Sequence, residues 1–97
     1  MANDNPIRIL LVEDNADFAE LIREILSGRN PSQTMFTFET AETLKAAFTS
    51  INKQSPDVVL LDLSLPDSTG FPTFIKMHTR VPEIPVVILT AFDDETP

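Results

Sequence analysis

The chain contains no cysteine, so disulfides and thiolate metal sites are excluded outright. A reducing compartment is compatible with that, and the cytoplasm is the expected location. No apolar run reaches the roughly 18 residues that a membrane helix needs, and no basic amphipathic start marks a cleaved targeting segment. Positive charge is also scarce. Seven basic residues stand against 15 acidic ones, for a formal net charge of -8, and the seven are scattered along the chain. Binding a phosphate backbone takes a concentrated basic face, so direct contact with nucleic acid is not expected. Repeats and low-complexity segments are absent as well. At 97 residues the chain makes one domain, residues 1–97, with 1–5 expected as a disordered tail and 93–97 as a frayed end.

What is present is organised around Asp57 to Gly70. Val58 to Leu61 is a continuous apolar run, followed by Leu63 and Leu65, which describes a strand buried on both faces as in the centre of a parallel sheet. Asp62 interrupts it. A carboxylate at the end of a buried strand is costly to desolvate unless something pairs with it, and in open parallel sheets that end is where ligands bind. Pro66 stops the strand, and Asp67-Ser68-Thr69-Gly70 is turn chemistry.

Ile7 to Val12 is a second short apolar run, again ending on acids, Glu13-Asp14. Asp14 or Asn15 can cap the helix that follows, where Phe18, Leu21, Ile22 and Ile25 repeat at helical spacing and Ser27-Gly28 supplies the stop. Thr34 to Thr40 reads as a strand with one wetter face. Glu39 or Thr40 then leads into a helix with Leu44, Ala47, Phe48 and Ile51 on its inner stripe. Phe71-Pro72 opens a third helix, in which Phe74 and Ile75, with His78 as a third candidate, face inward; the phenylalanines at helical spacing are expected in the core. Val86 to Leu89 is the third apolar run, ending on Thr90-Ala91.

Strand and helix alternate through seven elements, which predicts an α/β fold: a three-layer, doubly wound parallel sheet with right-handed crossovers. With the apolar strands inside, the Thr34–Thr40 strand falls outermost beside the first, for a spatial order of second, first, third, fourth. The switch point then lies between the ends of the first and third strands, where Glu13, Asp14 and Asp62 converge. Three close carboxylates repel one another, and a hard, oxygen-loving divalent cation relieves them. With such an ion cancelling charge, an Asp62 oxygen could attack a phosphoryl group in line, and the Thr90 hydroxyl would meet one phosphoryl oxygen.

Ile9-Leu10-Leu11-Val12-Glu13-Asp14-Asn15, the Asp57 to Gly70 stretch and Pro85-Val-Val-Ile-Leu-Thr90-Ala91 together resemble the receiver domain of two-component response regulators, in order and spacing, over essentially the whole chain. The resemblance implies a flavodoxin/CheY-like fold and a signalling domain that is not an enzyme in the ordinary sense. It implies Asp62 as phosphate acceptor, and Glu13, Asp14, Asp62 and the Ser64 carbonyl as ligands of Mg2+ (or Mn2+). Thr90 and Ala91 would form the phosphoryl-stabilising switch, Pro66 and Gly70 the structural turn. The donor would be a sensor histidine kinase or a histidine phosphotransfer protein.

Family receivers continue through a further helix, strand and helix, and that strand opens with a lysine for which this sequence offers no substitute. The expectation is a receiver truncated after its fourth strand, with impaired switching and an exposed edge at Val86 to Leu89. Such an edge favours a homodimer, by strand pairing or by exchange of an element. A non-phosphorylated interaction or dimerisation module keeping the receiver shell is the alternative. A phosphatase of the haloacid dehalogenase kind would want an aspartate where Ser64 stands, and a flavodoxin-like cofactor binder would find its phosphate repelled by Glu13-Asp14.

Overall fold

The computed structural model describes residues 5–28 and 35–89. In chain order the elements are β1 (Ile7–Val12), α1 (Ala16–Gly28), β2 (Phe36–Ala41), α2 (Leu44–Lys53), β3 (Val58–Leu61), β4 (Ser64–Leu65), β5 (Ser68–Thr69), α3 (Phe71–Arg80) and β6 (Val86–Ile88). The main sheet is parallel in the order β2-β1-β3-β6, the predicted order, with β6 as its fourth strand. Right-handed crossovers then put α1 on one face and α2 and α3 on the other, giving three layers. The small antiparallel hairpin β4–β5 was not foreseen: the run through Leu63 and Leu65 does not extend β3 but turns back on itself around Pro66-Asp67. No described helix is long and apolar enough to cross a membrane.

Side chains alternate across the sheet, so each strand serves both layers. Leu10 and Val12 of β1 and Val59 and Leu61 of β3 point to the α2–α3 side, where they meet Leu44, Ala47, Ile51, Met77, Val81 and Ile84 in one buried cluster. Ile9 and Leu11 are buried on the opposite side, under α1. Register links the strands residue by residue: Val12 lies beside Ala41 on one flank and beside Leu61 on the other.

Two helices turn differently from the sequence pattern. In α1 the inward positions are Ala19, which is buried, with Ile22, Arg23 and Leu26 half-buried; Phe18, Leu21 and Ile25 are exposed. The apolar stripe is wide, and only its Ala19–Ile22–Leu26 edge meets the sheet. In α3 the buried residues are Thr73 and Met77, while Ile75 is 46% exposed and His78 lies on the surface. Phe74 sits between, packed against the core cluster and stacked at once on Phe71 (5.4 Å between ring centroids) and His78 (5.6 Å, 5° between planes). Phe71 itself is exposed, so the phenylalanines are only partly core. Thr73 tolerates burial because its Oγ1 shares a hydrogen bond with the Ser68 hydroxyl at 2.7 Å.

The start of α2 is also later than the pattern suggested. β2 runs through to Ala41, and Thr43 is the cap, its Oγ1 accepting the Ala46 N–H at 3.0 Å. At the far edge, β6 pairs with β3 alone among the described residues, and Val87 and Ile88 are 48% and 42% exposed. No described strand pairs with its outer edge. Because the core is concentrated on the α2–α3 side, Met77→Ala, at a fully buried position, is expected to cost about 2–5 kcal/mol. Leu21→Ala on exposed α1 surface should change stability by about 0.5 kcal/mol or less; denaturant midpoints of the two variants measure the contrast.

Candidate functional site: an acidic corner at the strand ends

The main-chain ladder continues one residue past each central strand. The Glu13 N–H donates to the Ala41 carbonyl at 2.9 Å, and the Asp62 N–H donates to the Val12 carbonyl at 3.0 Å. Both residues are thereby fixed at the carboxyl edge of the sheet, beside each other across the β1–β3 pair. Glu13 is 6% exposed and Asp62 8%, whereas Asp14 is open to solvent. Carboxylate oxygens of Glu13, Asp14 and Asp62 lie within 4.8 Å of one another. The convergence predicted from the sequence is therefore present.

Local hydrogen bonds orient the acids. The Asn15 N–H donates to Glu13 Oε2 at 3.2 Å, while Asn15 Oδ1 accepts the Phe18 N–H at 3.0 Å and so caps α1. The Ser64 N–H donates to Asp62 Oδ1 at 3.2 Å. Burial pushes the Glu13 carboxyl up to about 7, with the Asn15 N–H pulling the other way; the charge of Asp62, a hydrogen bond with it, and the charge of Asp14 add to the rise. Near neutral pH a proton thus does part of what a cation would do. Two buried oxygen ligands and one at the mouth suit a hard divalent ion such as Mg2+, which binds through one or two carboxylates and keeps several waters.

The turn after Asp62 is tied down. Gly70, at φ 79°, is the residue before α3, and its N–H reaches back to the Leu63 carbonyl at 2.7 Å. An added Cβ would lie 3.5 Å from Pro72 Cδ, an ordinary contact, so the backbone angle is what favours glycine. Pro66 lies at the hairpin tip with Asp67. Sequence reasoning gave Asp67 only a turn; in the fold its Oδ1 accepts the Leu44 N–H at 2.8 Å and its Oδ2 the Lys45 N–H at 3.0 Å, across more than twenty residues of chain. Those bonds hold its carboxyl below the usual range. Thr90, Ala91 and the acids at 93–95 lie outside the described residues.

A family model described as the response regulator receiver domain matches residues 9–97. The chain belongs to that family. Among the receiver's relatives, the regulatory protein TcrX of Mycobacterium tuberculosis is 33% identical over 92 residues, covering 95% of this chain and 37% of TcrX. The phosphate regulon transcriptional regulatory protein PhoB of Escherichia coli is 37% identical over 90 residues, covering 91% and 37%. Of solved structures, the non-phosphorylated HemR receiver domain from Leptospira biflexa superposes with a TM-score of 0.70 at 32% identity, covering 94% of this receiver and 68% of that chain. The MaeR response regulator bound to beryllium trifluoride gives 0.77 at 26% identity, covering 91% and 70%. This receiver therefore spans under two-fifths of the length of those two curated relatives and about two thirds of those two solved chains.

The raised Glu13 pKa has a definite sign in stability. Below its ordinary value of 4.5 the group is protonated folded or unfolded; between 4.5 and about 7 the unfolded chain releases the proton first, so stability falls as pH rises. In metal-free buffer the receiver should be less stable at about pH 8 than at about pH 5, by on the order of 3 kcal/mol from this group. Glu13→Gln should flatten that slope, as followed by urea midpoints across the range.

Proposed function

We propose that this receiver accepts a phosphoryl group on Asp62 from the phosphohistidine of a sensor histidine kinase or a histidine phosphotransfer protein, in the cytoplasm. The observation that supports it is the convergence of Glu13, Asp14 and Asp62 at the ends of two adjacent central strands, two of them buried. Glu13, Asp14, Asp62 and the Ser64 carbonyl would hold Mg2+ or Mn2+. When bound, the ion supplies positive charge that makes an approaching phosphoryl group tolerable among the acids.

The residues themselves supply position. The Ser64 N–H orients the Asp62 carboxylate, and the ladder bond from Asp62 N–H to Val12 holds its backbone still. As a carboxylate oxygen forms its bond to phosphorus, the bond from phosphorus to the donor's imidazole nitrogen breaks and the imidazole leaves with the electron pair. Such transfers ask the protein for position and charge neutralisation more than for covalent chemistry. Thr90 and Ala91, just beyond β6, would stabilise the phosphoryl oxygens and carry the switch. DNA contact falls to other parts of a regulator, since the seven basic residues of this chain are scattered.

Incubation with acetyl phosphate or a phosphorylated histidine protein and Mg2+ should add one phosphoryl group by intact mass. Asp62→Asn should abolish the addition, and chelation of the metal should stop it; equal labelling of Asp62→Asn would overturn the assignment.

A second reading is favoured by the outer edge of β6, which no described strand pairs and where Val87 and Ile88 are exposed: the receiver pairs with a second copy of itself. Light scattering should report a dimer, and Val87→Lys should shift it to monomer. A dimer indifferent to beryllofluoride, on a chain whose Asp62 takes no phosphate, would make the fold a dimerisation module instead.

A further inference from the structure

The hairpin that follows Asp62 has only two residues in each strand, Ser64 and Leu65 facing Thr69 and Ser68. A ribbon that short is not stable alone. Among the described residues it is held by the Gly70 N–H on the Leu63 carbonyl, by the buried Ser68–Thr73 hydroxyl pair against α3, and by Leu65, which is buried in the core cluster. The tip is tied at long range as well. Asp67 spans the first two N–H groups of α2, Leu44 through Oδ1 and Lys45 through Oδ2, while Thr43 of α2's own cap takes the third, that of Ala46. Helix N-termini leave such donors unpaired, and a carboxylate there is favoured by the helix dipole as well.

We infer that Asp67 is a positioning residue for the acidic corner: by pinning the hairpin tip to α2 it sets the Ser64 backbone, whose N–H in turn orients Asp62. The chain of contacts is continuous, from the α2 N–H groups to Asp67, along β4 to Ser64, and from Ser64 N–H to Asp62 Oδ1. Ser64 carries two duties in this arrangement, one through its N–H and one through its carbonyl, so a hairpin free to tilt would disturb both at once. For the cation the inference rests on the phospho-acceptor reading; for the order of Ser64 it does not.

A cap with no such duty would stabilise α2 and nothing else. Thr43→Ala is the control, since it removes a bond to the same helix end without touching the hairpin. The test compares the 97-residue chain with Asp67→Ala, Asp67→Asn and Thr43→Ala by amide hydrogen exchange and by calorimetric titration with Mg2+. Asp67→Ala should speed exchange at Ser64 and Thr69 and weaken magnesium binding by about tenfold. Asp67→Asn, which keeps one acceptor oxygen, should recover part of both. Thr43→Ala should speed exchange at Ala46 and lower the melting temperature, leaving Ser64 and magnesium binding unchanged. The inference is overturned if Asp67→Ala leaves Ser64 exchange at the unsubstituted rate, or if Thr43→Ala alters it equally; should Asp67→Ala fail to fold, Asp67→Asn carries the comparison. If the unsubstituted chain binds no magnesium, the phospho-acceptor reading fails, and faster Ser64 exchange confined to the Asp67 variants still upholds the positioning role.

Discussion

The register of β1 against β3, with Val12 beside Leu61, is the constraint on which the site depends. It places Glu13 and Asp62, the next residue on each strand, side by side at the carboxyl edge, where backbone bonds hold both. Side chains alternate along a strand, so a slip of one residue would turn Leu10 and Val12 away from the α2–α3 core. Apolar burial therefore fixes the register, and the register brings the acids together. The repulsion among three carboxylates is opposed by the packing of residues that carry no charge at all.

That division explains which parts of the molecule can be read directly from the chain. Continuous apolar runs such as Val58–Leu61 give strand, centre and order almost unaided, because a strand buried on both faces has few other ways to look. Asn15 is legible as a cap because its partner, the Phe18 N–H, is three residues away. Helix rotation is harder. Phe18, Leu21, Ile22 and Ile25 form a stripe wide enough to be seated in more than one way, and the choice of Ala19 and Ile22 as inward positions comes from the neighbouring sheet. In α3, Thr73 goes inside in place of Ile75 because Ser68 supplies a hydroxyl partner, which hydropathy does not register. Asp67 looks like any turn aspartate; its partners lie at the N-terminal end of a separate helix, and sequence distance hides them.

The two faces of the sheet are unequal. On the α2–α3 side the cluster from Leu10 to Ile84 is closed further by Arg80, whose guanidinium lies 4.8 Å from the Phe48 ring centroid and donates to Asn52 Oδ1 at 2.7 Å, joining the two helices. On the other side Ile9 and Leu11 are buried, and among the described residues α1 is the one helix there, with Phe18, Leu21 and Ile25 exposed. Local opening free energies should follow this division, since they track buried apolar contact. The acidic corner belongs to both halves, through Glu13 at the start of the α1 loop and Asp62 at the start of the hairpin.

The stacked rings on the outside of α3 have a spectroscopic consequence. A chain without tryptophan or tyrosine has little intrinsic fluorescence to follow, yet it carries one histidine, and that ring lies nearly parallel to Phe74. Ring currents from the phenylalanine fall on the imidazole protons of His78, so a single resolved NMR line reports whether the last turns of α3 keep their place. The helix bears its own label.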